Sequence, residues 1–200
     1  MGLIISIVVA FVLGFILTYL FGLGKGQDSA VENNAANQKK DSQTVAAQTK
    51  QVTIFSPLNG EVVPLSNIKD AAFASGALGD GVAIEPSEGK LFAPVTGKVT
   101  ALFPSNHAIG FTTDEGVELL IHIGMDTVEL GGKYFTSHVK MDSQVEKGQL
   151  LIEFDIQKIR QEGLVLTTPV VVTNHAEYTL AKTSQTQIKS GDQLIELNRK

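Results

Sequence analysis

The chain has 200 residues, 18% of them charged, and a formal net charge of -5. An acidic balance without a basic stripe excludes nucleic acid as the main partner, since nothing would follow a phosphate backbone. The absence of cysteine removes disulfides, thiolate metal sites and cysteine nucleophiles together.

The first segment is apolar. From Leu3 to Leu23 no residue is charged, and at helical rise the run is long enough to cross a hydrocarbon core of about 30 Å. Residues 1–24 read as one transmembrane helix. A cleaved signal peptide is the competing reading, but no basic residue precedes the run and no small-x-small cleavage site follows it. Lys25, Lys39, Lys40 and Lys50 all come after the helix. The positive-inside tendency therefore predicts a single-pass protein of the cell membrane with its C-terminal part in the cytoplasm.

Residues 25–51, "KGQDSAVENNAANQKKDSQTVAAQTKQ", contain no aromatic residue and few large aliphatics, too little apolar surface to fold. They read as a flexible polar linker with a root-mean-square span of roughly 25 to 30 Å.

Residues 52–200 change to short β-type runs punctuated by Gly, Pro, Asn and Asp, which predicts an all-β domain. Two echoes occur within it. "SPLNGEVVPL" (56–65) and "APVTGKVTAL" (93–102) share a turn followed by a strand. "VEKGQLLIEFD" (145–155) and "IKSGDQLIELN" (188–198) share a turn glycine before an apolar strand. Paired echoes at unequal spacing predict a compact antiparallel β-sandwich or barrel with internal pseudo-duplication, and not a solenoid. The one helical candidate is "DIQKIRQEG" (155–163), ended by Gly163.

"SNHAIGFTTDEGVELLIHIG" (105–124) predicts a hairpin turning at Thr113–Gly116, with His107 and His122 on its two arms. Along the second arm Val117, Leu119, Ile121 and Ile123 share one face, while Glu118, Leu120, His122 and Gly124 share the other. His122 is thus expected on a shallow, accessible face, where Gly124 removes a side chain that would cover the ring. A two-residue turn sets 107 opposite 122. A three-residue loop instead matches Ile109 with Ile121 and Phe111 with Leu119, and a β-bulge near His107 would reconcile the two demands. Two neighbouring imidazoles suit metal binding, acid/base work, or carriage of a phosphoryl group on one ring while the other stabilises it. Ser105 could hold the second ring, and Asp126, just past the strand, could attract a cationic partner or simply end the strand.

"FASGALGDGVAIEP", "LFAPVTGKV", "SNHAIGF", "GVELLIHIGMDTVEL", "VEKGQLLIEFD" and "TPVVVTN" together closely resemble the glucose-class IIA domains of the bacterial phosphoenolpyruvate-dependent sugar phosphotransferase system. The resemblance runs in unbroken order over residues 52–200. It implies a phosphotransferase component in which His122 accepts phosphate from the histidine-containing phosphocarrier protein and donates it to a IIB-domain cysteine. With no cysteine here, that acceptor is expected on another chain. His107 matches the family's second histidine, which stabilises the phosphorylated state, and Ser105 stands where many relatives have threonine. Phe73, Leu78, Phe103, Leu120 and Val128 match the apolar rim on which partner domains dock, although Ala77 and Leu120 depart from some relatives. His138 and His175 match no active-site motif and are read as surface or turn residues.

The apolar helix in turn resembles the last membrane helix of a IIC domain. No cofactor is implied; zinc held by His107 and His122 with a partner's carboxylate is possible chemistry, two ligands being too few for a closed site. The alternatives are a regulatory protein-binding module of the same fold and a membrane-anchored lysostaphin-type metallopeptidase. The latter is suggested by His122-x-x-x-Asp126 but lacks the required His-x-His. A biotinyl-type carrier fails because the glycine-turn strand follows Lys140 instead of preceding it.

Overall fold

The computed structural model describes residues 51–200. The predicted membrane helix and all but the last linker residue lie outside the described residues. Among the described residues no helix is long and apolar enough to cross a membrane.

Chain order alone exposes the architecture. A first run holds β1 (Val52–Phe55), β2 (Gly60–Pro64) and β3 (Asp80–Pro86), and a second holds β4 (Lys90–Phe92), β5 (Gly97–Leu102) and β6 (Ala108–Thr112). A third contains β7 (Glu118–His122), β8 (Phe135–Ser137), β9 (Gln144–Val145) and β10 (Leu150–Phe154). The last contains β11 (Thr168–Val172), β12 (Tyr178–Lys182), β13 (Gln187–Ile188) and β14 (Gln193–Arg199). The eight-stranded sheet has the order β13-β2-β3-β11-β7-β6-β5-β9, and two three-stranded sheets have the orders β1-β14-β12 and β4-β10-β8.

Exchanging the first run with the second and the third with the fourth maps the large sheet onto its own reverse, and one small sheet onto the other. The pseudo-two-fold axis of this topology passes between β7 and β11, which pair antiparallel with Leu120 opposite Val171. The predicted pseudo-duplication is therefore a property of the whole β-fold. The echo glycines have a packing reason: a Cβ on Gly60 would lie 2.0 Å from the carbonyl oxygen of Glu85, and one on Gly97 would lie 2.6 Å from that of Thr112. Each starts a strand against a neighbouring backbone that leaves no room for a side chain.

The core collects Leu119, Ile121 and Ile123 from the β7 arm and Ile109 and Phe111 from β6, all within 2% of full burial. Ile109 opposes Ile121 and Phe111 opposes Leu119, so the hairpin adopts the three-residue register. Gly116, at φ 82°, closes the loop. Burial of five large apolar side chains on one face decides the register, because a slip by one residue would turn them all to the other face.

The bulge expected near His107 is absent from the β6–β7 ladder, which runs without a shift; the irregularity falls on β5, between Val99 and Ala101. His107 is turned instead by a bend just before β6, where Asn106 takes a left-handed φ of 55°.

Among the described residues two α-helices decorate the sheets, α1 (Ala71–Ala74) and α2 (Ile156–Gln161). The second is the predicted helix, capped by the Asp155 carboxylate, which accepts from Lys158 N at 3.0 Å. The first is too short to carry an apolar period and was not foreseen. Its start is fixed by Asp70, whose Oδ1 accepts from Ala72 N at 2.8 Å and Phe73 N at 3.0 Å.

Candidate functional site

His122 ends β7 and His107 immediately precedes β6, so the ladder that sets Ala108 opposite His122 brings the two imidazoles together. Their centroids are 4.8 Å apart and their planes meet edge-on at 79°. Phe73, from α1, lies 5.6 Å from the His122 ring. Phe103 lies 5.4 Å from the His107 ring. The pair thus sits between two phenylalanines, one from each half of the pseudo-duplication.

The exposure differs from the expected accessible face. His107 is fully buried, at 0%, and only His122 is partly open to solvent. Leu120, expected on the open face, is 5% exposed and Phe73 is 4% exposed. The correction has a simple cause: the β2–β3 connection, with α1 in it, lays Phe73 against His122 and covers much of that face.

Each ring is oriented by one hydrogen bond at Nδ1. Ser105 Oγ lies 2.5 Å from His107 Nδ1. His122 Nδ1 lies 2.7 Å from the carbonyl oxygen of Gly124; a carbonyl can only accept, so Nδ1 carries the hydrogen and Nε2 of the neutral ring keeps its lone pair. His107 Nε2 is buried without a hydrogen-bond partner among the described residues.

Gly124 does something other than leave space above the ring. It holds a left-handed φ of 73°, and a Cβ there would lie 2.7 Å from both Thr127 Cγ2 and the Val165 carbonyl oxygen. Thr168 Oγ1 accepts from Gly124 N at 3.4 Å, and Thr127 Oγ1 donates to the Ile123 carbonyl at 2.6 Å. These buried threonines fix the turn that presents the acceptor to His122.

Burial is the largest influence on both imidazoles. It pushes His107 down to about 3, with the neighbouring His122 acting in the same direction. His122 is also lowered by burial, against the opposing pull of the Gly124 carbonyl and the carboxylates of Asp70 and Asp126. Both rings are therefore neutral near pH 7, the state in which an imidazole is a nucleophile.

Of the remaining predicted residues, Asp126 is exposed, in a left-handed conformation at φ 59°, and makes no side-chain cap bond. Val128 follows it, half-buried in the 3-10 turn Thr127–Leu130, and Leu78 is half-buried beyond α1. His138 pairs with Glu153 at 2.8 Å, away from the site. Among the described residues no group of three or more His, Cys, Asp or Glu side chains could hold a metal. Sequence reading missed Asp70, a helix cap that also brings charge to His122; an aspartate followed by Ala-Ala-Phe was its signal.

Residues 52–178 match the family described as phosphoenolpyruvate-dependent sugar phosphotransferase system, EIIA 1. The beta-glucoside-specific EIIBCA component of Halalkalibacterium halodurans is 57% identical over 182 residues, which cover 90% of this chain and 28% of that protein. The beta-glucoside-specific EIIBCA component of Bacillus subtilis is 40% identical over 177 residues, covering 88% of this chain and 27% of that protein. The chain thus spans less than a third of the curated relatives it matches. The solved structure of glucose permease IIA from Mycoplasma capricolum superposes with a TM-score of 0.71 at 35% identity, covering 74% of this chain and 96% of that one. With the fold and these likenesses in agreement, the chain belongs to the EIIA 1 family of the phosphoenolpyruvate-dependent sugar phosphotransferase system, whose domains carry a phosphoryl group in sugar uptake.

Proposed function

We propose that His122 is the phosphoryl carrier of this chain. Its Nε2 lone pair attacks the phosphorus of a phosphohistidine on the histidine-containing phosphocarrier protein; a new N–P bond forms as the carrier's N–P bond breaks, and the carrier's imidazole leaves. The same N–P bond is then broken by a IIB-domain cysteine thiolate, which lies outside these 200 residues. The observation that carries this reading is the Nδ1–H bond from His122 to the Gly124 carbonyl, which leaves Nε2 free for the reaction.

His107 supplies the other half. When Ser105 donates to its Nδ1, the hydrogen of the neutral ring resides on Nε2, the buried atom with no partner among the described residues. A phosphoryl group on His122 provides that partner. Such transfer depends on positioning and charge stabilisation. Ser105 orients His107, while Asp126 acts on a cationic partner surface. Phe73, Leu78, Phe103, Leu120 and Val128 form the apolar ground on which the phosphocarrier and IIB domains dock in turn, with Phe73 and Leu120 supporting it from below.

The named relatives suggest a β-glucoside as the sugar moved. An N-terminal membrane helix over 1–24 and a linker over 25–51 would hold the domain at the cytoplasmic face of the cell membrane, near its IIB and IIC partners.

The test is incubation of the chain with phosphoenolpyruvate, enzyme I and the phosphocarrier protein. An acid-labile label that vanishes in His122→Ala supports the assignment. A folded wild-type chain that takes no label sinks it.

A further inference from the structure

The pseudo-two-fold that pairs β7 with β11 also predicts where a second copy of the phosphoacceptor site would lie. In one half the site is built from the β5–β6 connection, the end of β7 and the β7–β8 loop. The corresponding parts of the other half are the β2–β3 connection, the end of β11 and the β11–β12 loop. A cleft of about 690 Å³ lies against two of these, the β2–β3 connection and His175 of the β11–β12 loop, and is extended by the β12–β13 loop. It falls within the roughly 300–1,000 Å³ range of small-molecule pockets.

The cleft has lost the histidine pair. Asp80 starts β3 where Ala108 starts β6, and Val172 ends β11 where His122 ends β7. Its one imidazole is His175, whose Nδ1 is buried without a hydrogen-bond partner among the described residues. The lining chemistry is different too. Asp80 and Lys182 neutralise each other at 2.5 Å, so the site offers no net charge to an anion. Ser66, Ser75, Thr183, Ser184, Gln185 and Thr186 give it a rim of hydroxyl and amide groups, and Val62, Leu65, Phe73 and Val82 give it an apolar wall. Hydroxyls both donate and accept, and an apolar wall accommodates the C–H face of a ring. Together they match a ligand that alternates hydroxyls with C–H surface.

We propose that this cleft binds a neutral polyhydroxylated ligand of mono- or disaccharide size. Occupancy would be felt at the phosphoacceptor, because Phe73 belongs to both places. Its ring packs 5.6 Å from His122 and the same residue lines the cleft. α1 joins the two: Asp70, at its start, brings charge to His122, while Ala74, Ser75 and Gly76, at its end, line the cleft. A ligand pressed against this wall acts on α1, which carries both Phe73 and Asp70 toward His122. This second step rests on the carrier reading of His122, whereas binding itself does not.

The test is amide NMR titration of the full chain with methyl glucoside and with cellobiose, using inorganic phosphate as the anionic comparison. Saturable shifts at Ser66, Ser75 and Thr183–Thr186, weakened at least about tenfold in Ser184→Trp, support the site. Ser184 is exposed, so the indole fills the cleft without disturbing the core. Shifts that persist unchanged in Ser184→Trp, or that arise with phosphate alone, overturn the proposal, as does no saturable shift with either sugar. His122→Ala, which cannot carry a phosphoryl group, should still give saturable shifts at the same rim residues, whatever its affinity, which separates failure of the cleft from failure of the carrier reading. In wild type, saturating sugar should change the rate of His122 labelling severalfold, and Ser184→Trp should remove that response.

Discussion

The carbonyl of Gly124 lies 2.7 Å from Nδ1 of His122 and takes its hydrogen, so a main-chain atom two residues away chooses which nitrogen of the neutral imidazole keeps its lone pair. The turn that brings it there needs glycine at φ 73°, with no space for a methyl group between Thr127 and Val165. Gly124→Ala should cost about 2–4 kcal/mol, combining left-handed strain with local overlap. Thermal unfolding should register this as a fall of several degrees. Label uptake by the protein that remains folded should drop by more than about tenfold, because a displaced carbonyl no longer holds the tautomer. Normal uptake by a destabilised variant would show that the turn is structural only.

Stability should fall on acidification for a reason centred on His107. Its folded-state pKa is depressed to about 3, against about 6.5 in the unfolded chain. The unfolded chain therefore takes up the proton first. The stability contribution is fully present above about pH 6.5 and is lost progressively as pH falls toward about 3. Between pH 7 and pH 5 the loss from this one group is about 2 kcal/mol, and His122, also depressed by burial, adds to it with the same sign. Urea unfolding at the two pH values measures it. His107→Gln, which cannot titrate, should flatten the profile; an equally steep profile in that variant would place the titrating group elsewhere.

The register of the β6–β7 hairpin was half legible: two registers were open in the sequence, the three-residue one suiting the apolar faces better, and only burial decided between them, while the duplicated turn–strand echoes announced the symmetry of the sheets. The neighbourhood of His107 and His122 followed from either register. What periodicity could not supply was cover. Alternation places His122 and Leu120 on one face but says nothing of the segment laid across it, and Phe73 arrives from a connection too short in helix to show a period. His107 is buried beside Phe103, from the β5–β6 connection, which periodicity does not place either. The role of Gly124 was half legible: a glycine beside the ring was noticed, but backbone carbonyls leave no mark in the sequence.

Ser105 holds His107 through a contact of 2.5 Å, on a ring with no exposed surface. Ser105→Ala leaves a buried nitrogen unpaired and should cost about 1–3 kcal/mol. Because His122 keeps its own hydrogen bond, label should still be accepted. The phosphorylated form should be short-lived or slow to pass its phosphoryl group onward, since His107 would no longer be fixed in the tautomer that donates from Nε2. Ser105→Thr, which restores the hydroxyl, should recover both. Pulse labelling followed by a chase with unlabelled donor separates acceptance from retention. An Ala variant that matches wild type in the chase would mean that packing against Phe103 alone orients the ring.

Asp126 and Asp70 both favour the charged form of His122, yet only one is free to meet a partner. Asp70 is engaged by two main-chain N–H groups of α1, whereas Asp126 is exposed and makes no side-chain cap bond. Asp126→Asn is a clean removal of charge, because asparagine tolerates the same left-handed backbone. If Asp126 steers a cationic phosphocarrier, the variant should show a several-fold higher KM with little change in kcat. The difference should shrink as salt is raised, the Debye length being about 10 Å at 0.1 M and about 3 Å at 1 M. A loss confined to kcat and indifferent to salt would instead make Asp126 a local influence on the His122 ring. Saturation kinetics at two ionic strengths distinguish the outcomes, because steering acts on encounter and ring electrostatics act on the bound complex.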